Sequence, residues 1–180
     1  MTTLSKRTFT VPTRTEVSAA NQAIFDKLQK GIGFVPNLYA YFAKNETALA
    51  DYLAFQNRKS TLSAKEKEIV NLATSQINGC RYCLAAHTAI AKKIGFTDQQ
   101  IHDIRQGMAP FNSKFDALAK LTASIVKNKG KVEKDIVEAF FETGYTEANL
   151  VDVIIAIGDK SISNFLHNLT ELEIDFPIVE

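Results

Sequence analysis

Apolar residues recur at three- and four-residue spacing along almost all of this 180-residue chain, and that period confines it to helices packed through one face. Residues 16–31 carry the pattern through Val17, Ala20, Ile24, Phe25 and Leu28, and Gly31 and Gly33 stop it. Pro36 suits the first turn of a helix holding Leu38, Tyr41 and Phe42, and Leu49, Leu53 and Phe55 extend an apolar face to about Lys59. Eight glycines and four prolines are few, which favours long regular elements over a turn-rich β fold.

The later helices announce their own starts. Ser63-Ala64-Lys65-Glu66 has the form of a capping box, opening a helix through Ile69, Val70, Leu72, Ala73 and Ile77 that ends near Asn78-Gly79. A second helix holds Cys83, Leu84, His87, Ile90, Ala91 and Ile94 and stops at Gly95. Thr97-Asp98-Gln99-Gln100 is another capping box, for a short helix ending at Gly107. Helices follow over residues 113–128 and 133–143. The last, from Thr146 to about Leu169, is apolar on several sides, so its burial is expected either centrally or at a subunit interface. The expectation is a single all-α domain over residues 16–180, preceded by a flexible arm over residues 1–15. Phe111, Phe115, Phe140, Phe141 and Phe165 read as core, and the acidic stretch Glu171 to Glu180 as a surface extension.

Composition removes several functions. Twenty-one basic and 20 acidic side chains leave a net charge of +1, without the basic excess of a phosphate-binding surface, so no nucleic-acid partner is expected. The longest apolar run, Val153 to Ile157, is far short of a membrane span, and Met1 to Arg14 has no apolar signal-peptide segment. A soluble cytoplasmic protein is the expectation. In a reducing compartment a Cys-x-x-Cys pair reads as catalytic or metal-binding rather than as a structural disulfide.

Such a pair is present, and it uses both cysteines of the chain: Gly79-Cys80-Arg81-Tyr82-Cys83-Leu84-Ala85-Ala86-His87. On a helix, positions 80, 83 and 87 share one face. One thiolate attacks and the other closes a disulfide in dithiol redox chemistry. Cys80 stands near the helix amino end beside Arg81, and both features are expected to lower its thiol pKa. His87, four residues after Cys83, is spaced to take or return a thiol proton. A catalytic histidine needs a group to orient it, and Glu68 on the preceding helix is the candidate.

The stretch Ser63 to Gly95 resembles the alkylhydroperoxidase D-like, peroxidase-related branch of the carboxymuconolactone decarboxylase superfamily. Its signature is a glutamate, eleven residues, then Cys-x-x-Cys-x-x-x-His, and Glu68, Cys80, Cys83 and His87 match it at full spacing. Gly33-Phe34-Val35-Pro36-Asn37 and Tyr145 to Asp175 are similar to members of this branch as well. The resemblance implies a helical bundle, homo-oligomeric assembly and thiol-dependent reduction of peroxides without a cofactor or metal. It implies that Cys83 attacks the peroxide, that Cys80 resolves the resulting sulfenic acid, and that an external dithiol such as a lipoyl carrier reduces the disulfide. Glu68 and His87 are implied as the proton relay. The best-known members carry a second histidine just before the second cysteine, where this chain has Tyr82. Tyrosine donates a hydrogen bond but is no base near neutral pH, so Tyr82 is a site-modulating candidate and a disulfide joins peroxide as an implied substrate.

Other readings of the same residues remain open. Cys80, Cys83 and His87 would make three zinc ligands, with Glu68, His102, His167 or water as a fourth, in a metal- or ligand-binding helical oligomer. The two cysteines would otherwise be inert core residues. A cofactor-free lyase of the carboxymuconolactone decarboxylase type would use Glu68 and His87 as acid and base. Against these, His102 reads as solvated beside Asp103, and His167 as a cap on helix carbonyls.

Overall fold

Side-chain caps set the helix boundaries in the computed structural model, which describes residues 8–177. The described residues form nine α-helices and no strand: α1 (Ala19–Ile32), α2 (Asn37–Phe42), α3 (Ala48–Gln56), α4 (Ala64–Ile77), α5 (Arg81–Lys93), α6 (Asp98–Arg105), α7 (Ser113–Lys127), α8 (Lys134–Glu142) and α9 (Glu147–Thr170). The expected all-α class is the observed one. Both capping boxes form: Ser63 Oγ accepts the Glu66 N–H while the Glu66 carboxylate accepts the Ser63 N–H, and Thr97 and Gln100 do the same for α6. No described helix is long and apolar enough to cross a membrane.

Of the expected N-terminal arm, residues 1–7 lie outside the described residues. Beyond them, Glu16 accepts from the Thr13 N–H and hydroxyl at the 3-10 turn Arg14–Glu16, and Arg14 forks onto both oxygens of Asp26 at 2.8 Å.

The chain divides into two compact units: one runs to Asn57 and takes in Leu169–Asp175, and the other comprises Arg58–Asn168 and resumes at Phe176. In the first, α1, α2 and α3 enclose Val17, Phe25, Ala40, Ala43 and Leu49. The buried Asn21 donates to the carbonyls of Ala43, Asn45 and Glu46, holding the α2–α3 connection against α1. The acidic stretch after Thr170 is more than the expected surface extension. Leu172 is buried, and the Asp175 carboxylate accepts the Asn37 N–H at 2.6 Å, satisfying an open amide at the start of α2. Residues 178–180 of that stretch lie outside the described residues.

In the second unit α4 is the enclosed element. Ile69, Val70, Leu72 and Ala73 are fully buried at nearly consecutive positions, which requires packing on several sides of the helix, and α5, α6 and α7 supply it. Leu118, Leu121, Ile104, Phe140 and Val153 complete the core, each worth about 1.5–3 kcal/mol of apolar burial. Gly107, at φ +78°, lets the turn after α6 meet α7, since a Cβ there would stand 2.8 Å from that of Ala123.

Helix α9, expected to be buried centrally or at a subunit interface, is not enclosed all round within the chain. Its polar side chains Asp152, Asp159, Lys160, Ser163, Asn164 and His167 are buried, while Val151 (57% exposed), Ile154, Ile162 and Phe165 (60% exposed) face outward. The amphipathic face is inverted, with polar groups inside and an apolar stripe outside.

At the amino end of α9, the buried Asp152 accepts from Arg58 and from the N–H and hydroxyl of Thr61. Burial pushes its carboxyl pKa up, but these donors outweigh burial and hold it well below the usual carboxylate range. A depressed folded-state pKa means stability present above about pH 4 and lost as pH falls through the folded value. Asp152→Ala is therefore expected to cost about 1–3 kcal/mol at pH 7, with the gap to wild type closing in acid. Urea melts at pH 7 and pH 3 measure this, and an equal gap at both would contradict it.

Candidate active site

A tight reversal between α4 and α5 builds the site. Gly79, at φ +66°, turns the chain in a left-handed conformation that side-chain-bearing residues rarely adopt. Cys80 N–H then donates back to the Ser75 carbonyl at 3.0 Å, which makes Cys80 the N-cap of α5. Its Sγ accepts the Cys83 N–H at 3.4 Å, sulfur standing where serine or aspartate oxygen is more usual. Both thiols are reduced and enclosed, Cys80 being 0% and Cys83 3% exposed.

One turn further along α5, His87 Nδ1 lies 2.8 Å from Glu68 Oε2 on α4, and Asn71 Nδ2 donates to Glu68 Oε1 at 2.9 Å. The packing of α4 on α5, which spacing alone does not determine, thus brings Glu68, His87, Cys80 and Cys83 together. Burial raises the Glu68 pKa, but the charge and hydrogen bond of His87, the Asn71 amide and the charge of Lys160 outweigh it and keep the carboxyl below its ordinary range.

The two thiols are not equivalent. The Cys83 pKa is pushed down to about 6, first by the hydrogen bond from the Cys80 thiol and, against burial, by the charges of Lys160 and His87 and a hydrogen bond from Asn164. Cys80 is driven far up because it keeps the proton it donates to Cys83 and is itself buried. This reverses the expectation that the helix amino end and Arg81 would make Cys80 the acidic thiol. Arg81 is exposed to water, which screens it, and the shared proton decides the order.

Helix α9 supplies a third wall that the sequence reading missed. Cys83 Sγ lies 3.8 Å from Ser163 Oγ, and that hydroxyl donates to the Lys160 carbonyl at 3.0 Å. Asn164 Nδ2 donates to Ser75 Oγ at 3.2 Å and its Oδ1 accepts from Asn78 at 3.0 Å, fastening α9 to the end of α4. A signal was available: Asp152, Asp159, Lys160, Ser163, Asn164 and His167 mark one stripe at helical spacing in an otherwise apolar segment.

Tyr82 is buried, with its ring 5.0 Å from that of His167 and edge-on to Phe176 at 5.5 Å. His167 is buried and packs its ring beside the motif. His102 is exposed on α6, as expected. Among the described residues, no three His, Cys, Asp or Glu side chains are arranged to hold a metal ion.

The described residues thus form an all-helical fold that encloses a dithiol beside a Glu–His pair. The sequence model of the carboxymuconolactone decarboxylase family matches residues 42–123, a stretch that contains Glu68, Cys80, Cys83 and His87. Over that stretch the chain is similar to the carboxymuconolactone decarboxylase family. The uncharacterized protein YdfG of Bacillus subtilis (strain 168) is 36% identical over 45 residues, a match spanning 25% of this chain and 31% of YdfG. Two solved structures share the fold. A peroxidase-related protein from Ralstonia eutropha JMP134, described as an alkylhydroperoxidase AhpD core, superposes with a TM-score of 0.83 at 21% identity, over 93% of this chain and 91% of its own. A peroxidase-related protein from Silicibacter sp. TM1040 does so with a TM-score of 0.81 at 24% identity, over 96% and 94%.

The split between the thiols is directly measurable. At pH 7 iodoacetamide is expected to label Cys83 at least about tenfold faster than Cys80 in the reduced protein, resolved by peptide mass spectrometry. Equal labelling rates would contradict the assignment of the shared proton.

Proposed function

We propose that this protein is a thiol-dependent antioxidant oxidoreductase that reduces peroxides, or disulfides, through Cys80 and Cys83 with Glu68 and His87 as proton relay. The observation that carries the reading is the enclosed dithiol beside the Glu68–His87 contact at 2.8 Å, with Cys80 Sγ capping the Cys83 N–H at 3.4 Å and Cys83 Sγ 3.8 Å from Ser163 Oγ. In it the Cys83 thiol pKa is pushed down and the Cys80 thiol pKa up. At neutral pH such a pair has its nucleophile charged and its resolving thiol neutral.

In the proposed cycle the Cys83 thiolate attacks one peroxide oxygen, the O–O bond breaks, and Cys83 becomes a sulfenic acid. The departing alkoxide takes a proton from His87, whose imidazolium Glu68 stabilises and orients at 2.8 Å. Cys80 then attacks the sulfenic sulfur, water leaves, and the Cys80–Cys83 disulfide forms. Cys80 gives up its proton as the oxygen leaves as water. An external dithiol, for which a lipoyl carrier is suited, exchanges with that disulfide and restores both thiols while itself becoming oxidised. A reducing compartment such as the cytoplasm would keep that donor charged.

Peroxide consumption with a reduced lipoyl donor tests the cycle. Cys83→Ser is expected to abolish turnover, Cys80→Ser to accumulate a dimedone-reactive sulfenic acid after one equivalent of peroxide, and His87→Ala to slow turnover by about 100-fold. Wild-type consumption undiminished in Cys83→Ser would overturn the mechanism.

We also infer that the protein is a homo-oligomer. The outward stripe of Val151, Ile154, Ile162 and Phe165 on α9 supports it, being apolar and spaced for helix-on-helix packing against a second copy. Phe165→Glu is expected to lower the mass measured by light scattering, and an unchanged mass would remove this face from the interface.

A further inference from the structure

Lys160 is 3% exposed, and an ammonium group is almost never enclosed to that degree without a charged partner. It sits on the inward stripe of α9, one turn before Ser163, whose hydroxyl touches Cys83 Sγ at 3.8 Å and donates to the Lys160 carbonyl at 3.0 Å. Its Nζ lies 3.7 Å from Asp159 Oδ2. We propose that Lys160 is a positioning residue for Cys83, its positive charge sharing the inward face of α9 with Ser163 so that the thiolate is stabilised and Ser163 can turn its hydroxyl toward it.

The charge inventory around Cys83 explains the need. Helix α5 contributes Cys80, which keeps its proton, and His87; α4 contributes Glu68; α9 contributes Lys160, Asp159 and, beside Tyr82, His167. An ionised Cys83 thus adds a negative charge to an enclosed space already holding two carboxylates. His87 offsets this only while protonated, and its proton is the one the proposed cycle spends. No step of the proposed cycle draws a proton from Lys160. The directions of the Cys83 and Glu68 pKa values agree, since the Lys160 charge lowers both. On ionisation the Cys83 S–H no longer occupies Ser163 Oγ, and rotating the Ser163 hydroxyl from the Lys160 carbonyl to the sulfur gives the thiolate a donor.

The inference rests on the reading of Cys83 as the attacking thiol, and its test needs no peroxide. Rates of Cys83 labelling by iodoacetamide, followed by peptide mass spectrometry from pH 4.5 to pH 9, give the thiol midpoint in wild type, Lys160→Met and Lys160→Arg. The expected results are a midpoint raised by about one unit in Lys160→Met, with labelling at pH 6 slowed about fivefold, and one close to wild type in Lys160→Arg. A folded Lys160→Met with an unmoved midpoint would overturn the proposal, as would an equal rise in the arginine variant. A buried lysine replaced by methionine can cost folding outright, so a second measurement uses the native side chain. In protein carrying carbon-13 lysine, the Lys160 Cε resonance is expected to inflect at the Cys83 midpoint, and the inflection to vanish in Cys83→Ser. Its absence from the wild type would equally overturn the proposal. A positive result here beside failed peroxide turnover would leave Lys160 in its role and remove only the peroxide substrate.

Discussion

Glu68 and His87 meet at 2.8 Å with both side chains almost withdrawn from water, and that contact constrains the helices around it. A buried carboxylate needs its acceptor capacity filled, so α4 must place Asn71 one turn away and α5 must present His87 to the same spot. Fixing Glu68 against His87 sets the register of α4 on α5, and the register of α5 sets where Cys83 lies. The reversal at Gly79 follows, because Cys80 reaches the first turn of α5 only if the chain doubles back at once. An apolar pair of helices could slide by a turn at modest cost. This pair would strand charged groups by doing so.

The same requirement accounts for α9. A site walled by α4 and α5 alone would leave Ser75 and Asn78 without the partners they have, and α9 meets them with Asn164. Turning its polar stripe inward forces its apolar residues out, since a helix has only one circumference. The outward face is therefore a consequence of the chemistry inside, and covering it is a separate task, which the proposed second copy would perform. In this chain, the polar wall of the site and the exposed apolar stripe are two sides of one helix.

Most of the fold was legible in the sequence, because it depends on local signals. Ser63 and Glu66, or Thr97 and Gln100, act within four residues of each other, so capping geometry and sequence spacing are nearly the same information. The cysteines, His87 and Glu68 were legible as a motif for a similar reason, and their meeting was not, since it depends on a helix–helix angle. One reading went astray where tertiary context overrode a local rule. Proximity to a helix amino end and to Arg81 pointed to a lowered Cys80 pKa, yet the proton shared with Cys83 and burial push it up. Apolar content pointed to the burial of α9 inside the chain or at a subunit interface, and the minority of polar residues decides which way it faces. Lys160, Ser163 and Asn164 are some eighty residues beyond the motif, and no local rule connects them to it.

Unequal thiols also imply an order of events. While Cys83 is a thiolate, Cys80 is held neutral by the hydrogen bond it donates, so the resolving thiol is restrained for as long as its partner is charged. Oxidation of Cys83 to a neutral sulfenic acid removes the acceptor of that bond and the charge that kept the Cys80 proton in place. The hydrogen bond that raises the Cys80 pKa before the proposed oxidation is lost after it, leaving burial as the remaining penalty, so in the proposed cycle the second thiol gains nucleophilicity when an electrophile stands beside it. Such an arrangement needs no conformational switch, because the chemical state of one sulfur regulates the other. It does need close approach, which the Cys83 N–H to Cys80 Sγ contact at 3.4 Å provides by anchoring Cys80 over the first turn of α5. The N-cap role of Cys80, which in another helix would be a matter of stability alone, thereby becomes part of the geometry of the proposed reaction.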